Sequence, residues 1–288
     1  MQYRLFSSAK DYLPRIPEVS QLFSTVFHRP FPADAWRQWY LNNPYGDPHV
    51  ALGYHNDELV GHHALIPQKL VGGGSRFLRY FLSVSTMVHP RHRNLSGFLD
   101  MANALHGEAR GSGAACILAF PNGTSAPLFE KLCSYKPIIQ TELCNWGPSY
   151  RAIAACERKK SSLEGRSPAQ YSYPADSVYW DWRTQNNHAR SWTVGRALHL
   201  VYKVIEPATL MLLDARVEGG RNAAESLSRF ANGLGLSEVR LTRYHAAQLD
   251  IPDADLTPHE GYVVRLFGFP LAQEVPDIRF SLLLSDVF

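Results

Sequence analysis

Residues Arg93 to Phe98 read Arg-Asn-Leu-Ser-Gly-Phe and combine a cation with small, turn-tolerant positions ahead of a helical stripe. Asn94, Ser96 and Gly97 let backbone N–H groups approach a bound anion. Arg93 adds a fixed positive charge, and the positive end of the following helix adds to the attraction. A diphosphate suits such a cradle, although an ordinary strand-to-helix turn has the same composition. A second set of residues could carry protons. His62 and His63 are adjacent in a strand-like run, so side-chain alternation turns one toward each face. An imidazole near neutral pH is a natural proton carrier, and a pair of ordinary core histidines fits the same pattern. Ser85 could orient a water or an acceptor; Glu142 and His89 are weaker candidates.

These residues need elements to hold them. Apolar residues at Leu95, Phe98, Leu99, Ala102, Leu105 and Ala109 predict a helix over 95–109, stopped by Arg110-Gly111-Ser112-Gly113. A long strand over 77–87 precedes it. The continuous apolar run 114–120 follows as a buried strand. An Asn122-led turn, a short helix over 126–132 and a strand over 138–146 come next. Upstream, Val19, Leu22, Phe23 and Val26 share one helical face over 17–27. A short aromatic helix over 36–41 ends in Asn42-Asn43-Pro44-Tyr45-Gly46, and strands over 49–54 and 59–67 are joined by Asn56-Asp57-Glu58 as a hairpin.

The stretch 151–169 is charged and serine-rich and reads as a linker between a first domain, 1–150, and a second, 170–288. The second part opens with Tyr179-Trp180-Asp181-Trp182-Arg183, an echo of Trp36-Arg37-Gln38-Trp39-Tyr40. Strands over 199–205, 209–215, 238–242 and 262–267 and a helix over 223–234 follow. The second part therefore reads as a degenerate copy of the first. The four tryptophans of the two echoes fit core packing or stacking on a base or sugar ring. Asp214, at the end of an apolar strand, fits a cap or an acceptor contact.

Composition narrows the function. The 288 residues are 45% hydrophobic and 12% aromatic, with a net charge of only +3, and the basic residues are scattered. Arg158-Lys159-Lys160 reads as a solvated linker rather than a nucleic-acid patch, because phosphate tracking needs many cations on one face. The four cysteines have no metal-ligand spacing, and the twelve histidines form no HExxH or HxH cluster, so no metal is expected. No signal peptide and no 18-residue apolar run stand out, and a reduced, cytoplasmic protein is expected, with no membrane partner.

Several motifs stand in one order: Trp36 to Trp39, Asn43-Pro44-Tyr45-Gly46, Val60-Gly61, Thr86-Met87-Val88-His89-Pro90, then Phe120-Pro121-Asn122. Over 20–147 the chain resembles the GCN5-related N-acetyltransferase (GNAT) superfamily, and more narrowly its bacterial surface-polysaccharide branch; the likeness is looser over 175–288. The resemblance implies an α/β fold: a mixed, mostly antiparallel sheet flanked by helices, with a second, degenerate lobe closing the acceptor cleft. It implies an acyl-CoA co-substrate whose pantetheine arm runs beside the main chain of Met87 and Val88. Arg93, Asn94, Leu95, Ser96, Gly97 and Phe98 would then hold the pyrophosphate, and Asn122, Ser125 and Phe129 would line the far side of the arm. His62 and His63 would border the acceptor cleft, with Ser85 beside them. The implied reaction is N-acyl transfer to a primary amine by direct attack, most specifically on a nucleotide-linked amino sugar. N-acylation of an amino acid, peptide or antibiotic-like amine is the alternative, and a CoA-binding regulatory protein without turnover is the rival from another class. Two departures bear on this choice. The glycines of the family loop are Ser96 and Phe98 here. Ser85 and Phe129 replace an Asp and a Tyr that carry protons in many members, and Tyr135 is a candidate replacement for that Tyr.

Overall fold

A computed structural model describes residues 2–73, 76–93, 95–148, 170–174, 176–184, 189–194, 198–205, 208–218, 222–272 and 274–285, with only the backbone at Leu95, Ser96 and Thr184. The expected linker 151–169 and Asn94 lie outside the described residues.

Strand β1 (Gln2–Phe6) and the short helix α1 (Ala9–Tyr12) open the chain; neither is among the elements expected from the sequence. Helix α2 (Ile16–Phe27) has Pro17 near its start, where the missing N–H costs nothing, and buries Val19, Leu22 and Phe23 at helical spacing. Helix α3 (Ala33–Tyr40) follows, starting three residues earlier than the aromatic run suggests. Strands β2 (His49–His55) and β3 (Glu58–Val71) form the expected hairpin. Its turn is Asn56-Asp57, with φ of 49° and 63°, the left-handed pair a two-residue turn requires. Most of β3 is buried residue after residue, so it is covered on both faces. Then come β4 (Phe77–Val88), α4 (Leu95–Arg110), β5 (Cys116–Ala119), α5 (Ala126–Lys131) and β6 (Lys136–Trp146).

The remainder has the same order of elements. Helix α6 (Ser177–Thr184) precedes β7 (Arg190–Val194), β8 (Leu198–Ile205) and β9 (Thr209–Val217). Helix α7 (Ala223–Gly233), β10 (Glu238–Thr242), α8 (Arg243–Gln248) and β11 (Leu256–Pro270) complete the set. The eleven strands among the described residues join one sheet in the order β1-β2-β3-β4-β5-β11-β6-β10-β9-β8-β7. Of these strand pairs, β4–β5 and β9–β10 are parallel and the rest antiparallel. The order from β2 to β7 is the same read from either end, and its centre is the β11–β6 pair. Each half sends its last strand into the other: β11 lies between β5 and β6, and β6 pairs with β10.

The two aromatic echoes meet across this centre. The Gln38 side chain donates to the Trp182 carbonyl at 2.9 Å, and the Trp182 indole donates to the Gln38 carbonyl at 2.8 Å. Trp39 and Trp182 pack edge to face at 5.1 Å. Packing, rather than an exposed stacking platform, accounts for this pair. One face of the sheet carries α2, α3, α6 and the C-terminal stretch Phe280–Leu284 in a single core; a second core lies under α4 and α5, and a third under α7. No helix among the described residues is long and apolar enough to cross a membrane.

Candidate functional site

Strands β4 and β5 run parallel from Tyr80↔Cys116 to Ser83↔Ala119, where β5 ends. Strand β4 continues to Val88, still paired with β3 on its other side. Past Ser83 the sheet therefore forks, and no strand among the described residues covers the edge from Val84 to Val88. Helix α4 begins close by, at Leu95. The first N–H groups of a helix have no partner within it, so this turn presents donors and the positive end of the helix dipole. Arg93 is exposed, and its Nε donates to the Val88 carbonyl at 3.4 Å. The expected loop thus divides into Arg93 before the helix and Leu95, Ser96, Gly97 and Phe98 in its first turn, with Gly97 and Phe98 buried.

A bulge interrupts β4 at Ser85, whose φ is +50°. His62 Nδ1 donates to the Ser85 carbonyl at 2.7 Å, which leaves the lone pair on Nε2. That nitrogen accepts from the Tyr12 hydroxyl at 2.8 Å. Burial then lowers the His62 pKa to about 4. His62 is a strut under the bulge, neutral at physiological pH, and its basic nitrogen is already occupied.

His63 lies on the opposite face, against Phe98 and Phe129. Its Nε2 meets Ser83 Oγ at 2.9 Å, and burial lowers its pKa to about 3. Ser83 also bonds the Tyr135 side chain. The Tyr135 hydroxyl meets His106 Nε2 at 3.1 Å. A chain of four polar side chains, His63–Ser83–Tyr135–His106, thus runs under α4 and reaches the fork at Ser83. Ser83 and His106 are not recognisable in the sequence, because cross-strand and helix-to-strand pairing brings them together.

Across the fork, Asn122 Oδ1 accepts from the backbone N–H groups of Thr124 and Ser125 at 3.0 and 2.9 Å and from Ser125 Oγ at 3.0 Å. These bonds fix the turn into α5. Phe129 points inward, 4% exposed, onto Phe98 and Tyr135. Glu142 is held by Arg243 in an ion pair on β6.

The other parallel pair forks as well, since β9 continues to Val217 beyond its last partner on β10. This fork is filled by the chain itself. Ser281 Oγ donates to the Leu213 carbonyl at 3.3 Å, and the Arg279 guanidinium donates to the Ala215 carbonyl. Phe280 packs on Tyr244 and His245 of α8. Asp214 is inside the strand rather than at its end, and fully buried. It accepts from the Tyr173 hydroxyl at 2.7 Å and from Arg279 at 3.1 Å. Burial would raise the Asp214 pKa, but Arg279, His245 and Tyr173 hold it below its usual value.

A cleft of about 170 Å³ opens on the α2–α3 side of β4. Ser85 and Met87 form its floor, Phe23, Phe31, Trp36, Trp39 and Tyr40 its walls, and Arg29 stands at its rim. The cleft and the open fork share the β4 segment at the bulge, through Val84, Ser85 and Met87. Among the described residues no cluster of histidine, cysteine, aspartate or glutamate could hold a metal ion.

The sheet is thus forked between two parallel strands, with a helix starting at the fork and a cleft behind it. Residues 14–132, the stretch that contains the fork, match the model of the acetyltransferase (GNAT) domain family. Solved structures share the fold over nearly the whole chain. A probable N-acyltransferase from Enterococcus faecalis V583 superposes with a TM-score of 0.64 at 11% identity, over 94% of this chain and 73% of that one. A GCN5-related N-acetyltransferase from Anabaena variabilis gives 0.64 at 10% identity over 94% and 73%. One from Kribbella flavida gives 0.61 at 11% identity over 93% and 70%. No curated protein matches the sequence.

Proposed function

We propose that this protein transfers an acyl group from an acyl-CoA to a primary amine by direct attack. The observation that carries this reading is the bare β4 edge from Val84 to Val88, which meets the first turn of α4 at one end and the cleft at Ser85. In this arrangement the pantetheine amides pair with the main chain of Met87 and Val88 as an added strand would. The pyrophosphate meets Arg93 and the first turn of α4, Leu95, Ser96, Gly97 and Phe98, with Asn94 the remaining residue of the proposed loop. Asn122, Ser125 and Phe129 bound the far side of the arm.

A neutral amine resting on Ser85 attacks the thioester carbon; the C–N bond forms and the C–S bond breaks. The amine proton passes to water, and the thiolate is protonated through Ser83 and Tyr135. His62 and His63 act as positioning residues, the first holding the bulge and the second the Ser83 hydroxyl. Cys116 and Cys133 are buried thiols with pKa raised to about 12 and 11, which favours direct attack over a cysteine-bound intermediate. The proposed acceptor is the amino group of a nucleotide-linked amino sugar used in surface-polysaccharide synthesis, on the strength of the motifs shared with that branch. The free, buried cysteines and an acyl-CoA donor suit a cytoplasmic setting.

A second reading, a CoA-binding regulator without turnover, is favoured by one observation: both histidines at the site are locked in the neutral form. Incubation with acyl-CoA and a panel of amines, with released thiol as the readout, separates the two. Thiol release that needs both an amine and Arg93, and is lost in Arg93→Glu, supports the transferase. Thermal stabilisation by CoA with no thiol released by any amine supports the regulator.

A further inference from the structure

The cleft behind β4 has a composition that selects among amines. Its volume is about 170 Å³, and an apolar cavity of roughly 150 Å³ holds one benzene. The interior therefore accommodates one ring-sized group. Phe23, Phe31, Trp36, Trp39 and Tyr40 supply the walls, and faces of this kind favour a flat, apolar guest. Among the described residues the lining contains no aspartate or glutamate, and its one cationic side chain is Arg29, at the rim. The Arg29 guanidinium lies 5.4 Å from the Phe23 ring centroid and 5.8 Å from that of Phe27. Stacking restrains the guanidinium plane while its N–H edge stays available. No carboxylate of a described residue is ion-paired with it.

We infer that the acceptor is a primary amine bearing one ring-sized planar group and one anionic group, the ring held by the aromatic walls and the anion by Arg29. This rests on the acyl-transfer reading above and narrows it. The amine end then lies at Ser85, beside the fork, and must arrive neutral to react. With no carboxylate among its described lining residues, the cleft offers an ammonium only the ring faces, and Arg29 repels a second positive charge. Polyamines and other polycationic amines are therefore disfavoured. An aromatic amino acid offers ring and anion as side chain and carboxylate; a nucleotide-linked amino sugar offers them as base and diphosphate.

The test uses calorimetric binding without acyl donor and thiol release with it. The probes are phenylalanine, a uridine-diphosphate amino sugar, phenethylamine (ring without anion), aspartate (anion without ring) and spermidine. The first two are expected to bind and react well, spermidine poorly. Loss of one charged hydrogen-bond partner in Arg29→Ala should weaken the preferred acceptor by about 10- to 100-fold and leave phenethylamine unchanged; Arg29→Lys should restore part of the loss. Which of the first two responds identifies the source of ring and anion. Equal loss for phenethylamine, no loss for the anionic acceptors, or preference for spermidine overturns the inference, as does binding of none of them. Ring-plus-anion binding that depends on Arg29, without thiol release from any amine, leaves the inference standing and removes the transferase reading.

Discussion

Acid should remove a large part of this protein's stability between pH 7 and 5, and a principal cause is three fully buried histidines. His62, His63 and His245 have no exposed surface, and burial lowers their pKa values to about 4, 3 and 4. In the unfolded chain an imidazole titrates near 6.5. Above that pH both states are neutral at these sites and stability does not depend on them. As the pH falls below it, the unfolded chain takes up protons that the folded protein refuses, so stability is lost progressively until the folded pKa is reached. Each histidine costs about 2 kcal/mol by pH 5, or about 6 kcal/mol for the three together. A domain's whole stability is about 5–15 kcal/mol. Urea unfolding followed by circular dichroism at pH 8, 7, 6 and 5 measures this directly. The unfolding free energy should be level at the top of the range and approach a slope of about 4–5 kcal/mol per pH unit near pH 5, the signature of these three protons and of a fourth on His106, whose pKa burial also lowers to about 4. His63→Gln, which can still reach Ser83 Oγ, should remove one proton from that slope. A free energy that is constant from pH 7 to pH 5 would refute the reasoning.

Other outcomes follow from the remaining contacts. Arg279→Leu strips Asp214 of its guanidinium partner inside the core and should cost about 3–5 kcal/mol, measured by urea unfolding at pH 7.5; a negligible change would show that the filled second fork is energetically idle. Tyr135→Phe breaks the polar chain at the first fork and should lower kcat by about 100-fold or more while leaving the KM for acyl-CoA unaltered. A change in KM alone would instead assign Tyr135 to donor binding. A chain ending at residue 148 lacks β11 and leaves β5 and β6 with bare edges, so it should aggregate. A soluble monomer with native circular dichroism would contradict the exchanged strands.

What the sequence disclosed and what it withheld differ by range of interaction. The α4 stripe, the Asn56-Asp57 turn and the fork's flanking motifs are local patterns, and each is where its spacing suggests. Strand β1 is only five residues long and its side chains are nearly all exposed, so its brief polar–apolar alternation marks no buried face. Helix α8 is a six-residue polar segment with only His245 and Ala246 buried. The exchange of β6 and β11 arises from pairing between residues more than a hundred positions apart, which no window of periodicity detects. The histidine pair shows the same division for the site. Alternation correctly separates His62 and His63 onto opposite faces, yet their neutrality depends on Tyr12, the Ser85 carbonyl and Ser83, partners supplied by tertiary packing. The cleft was invisible for a similar reason: its aromatic walls look like any core until α2 and α3 leave a gap between them.

The exchange of last strands also sets a schedule for the ribosome. Strand β6 ends at Trp146 and β11 at Pro270, so 124 residues separate the completion of the first half from the arrival of the strand that closes it. At about 5–20 residues per second, that interval is roughly 6–25 s. Throughout it the nascent chain carries an open slot between β5 and β6, and any free strand in the cell can compete for that slot. The first fork, built almost entirely from early residues, gains its last neighbouring strand only when one of the last elements is made. Translation pauses placed between these two strands would lengthen the vulnerable window without altering a single residue of the mature protein.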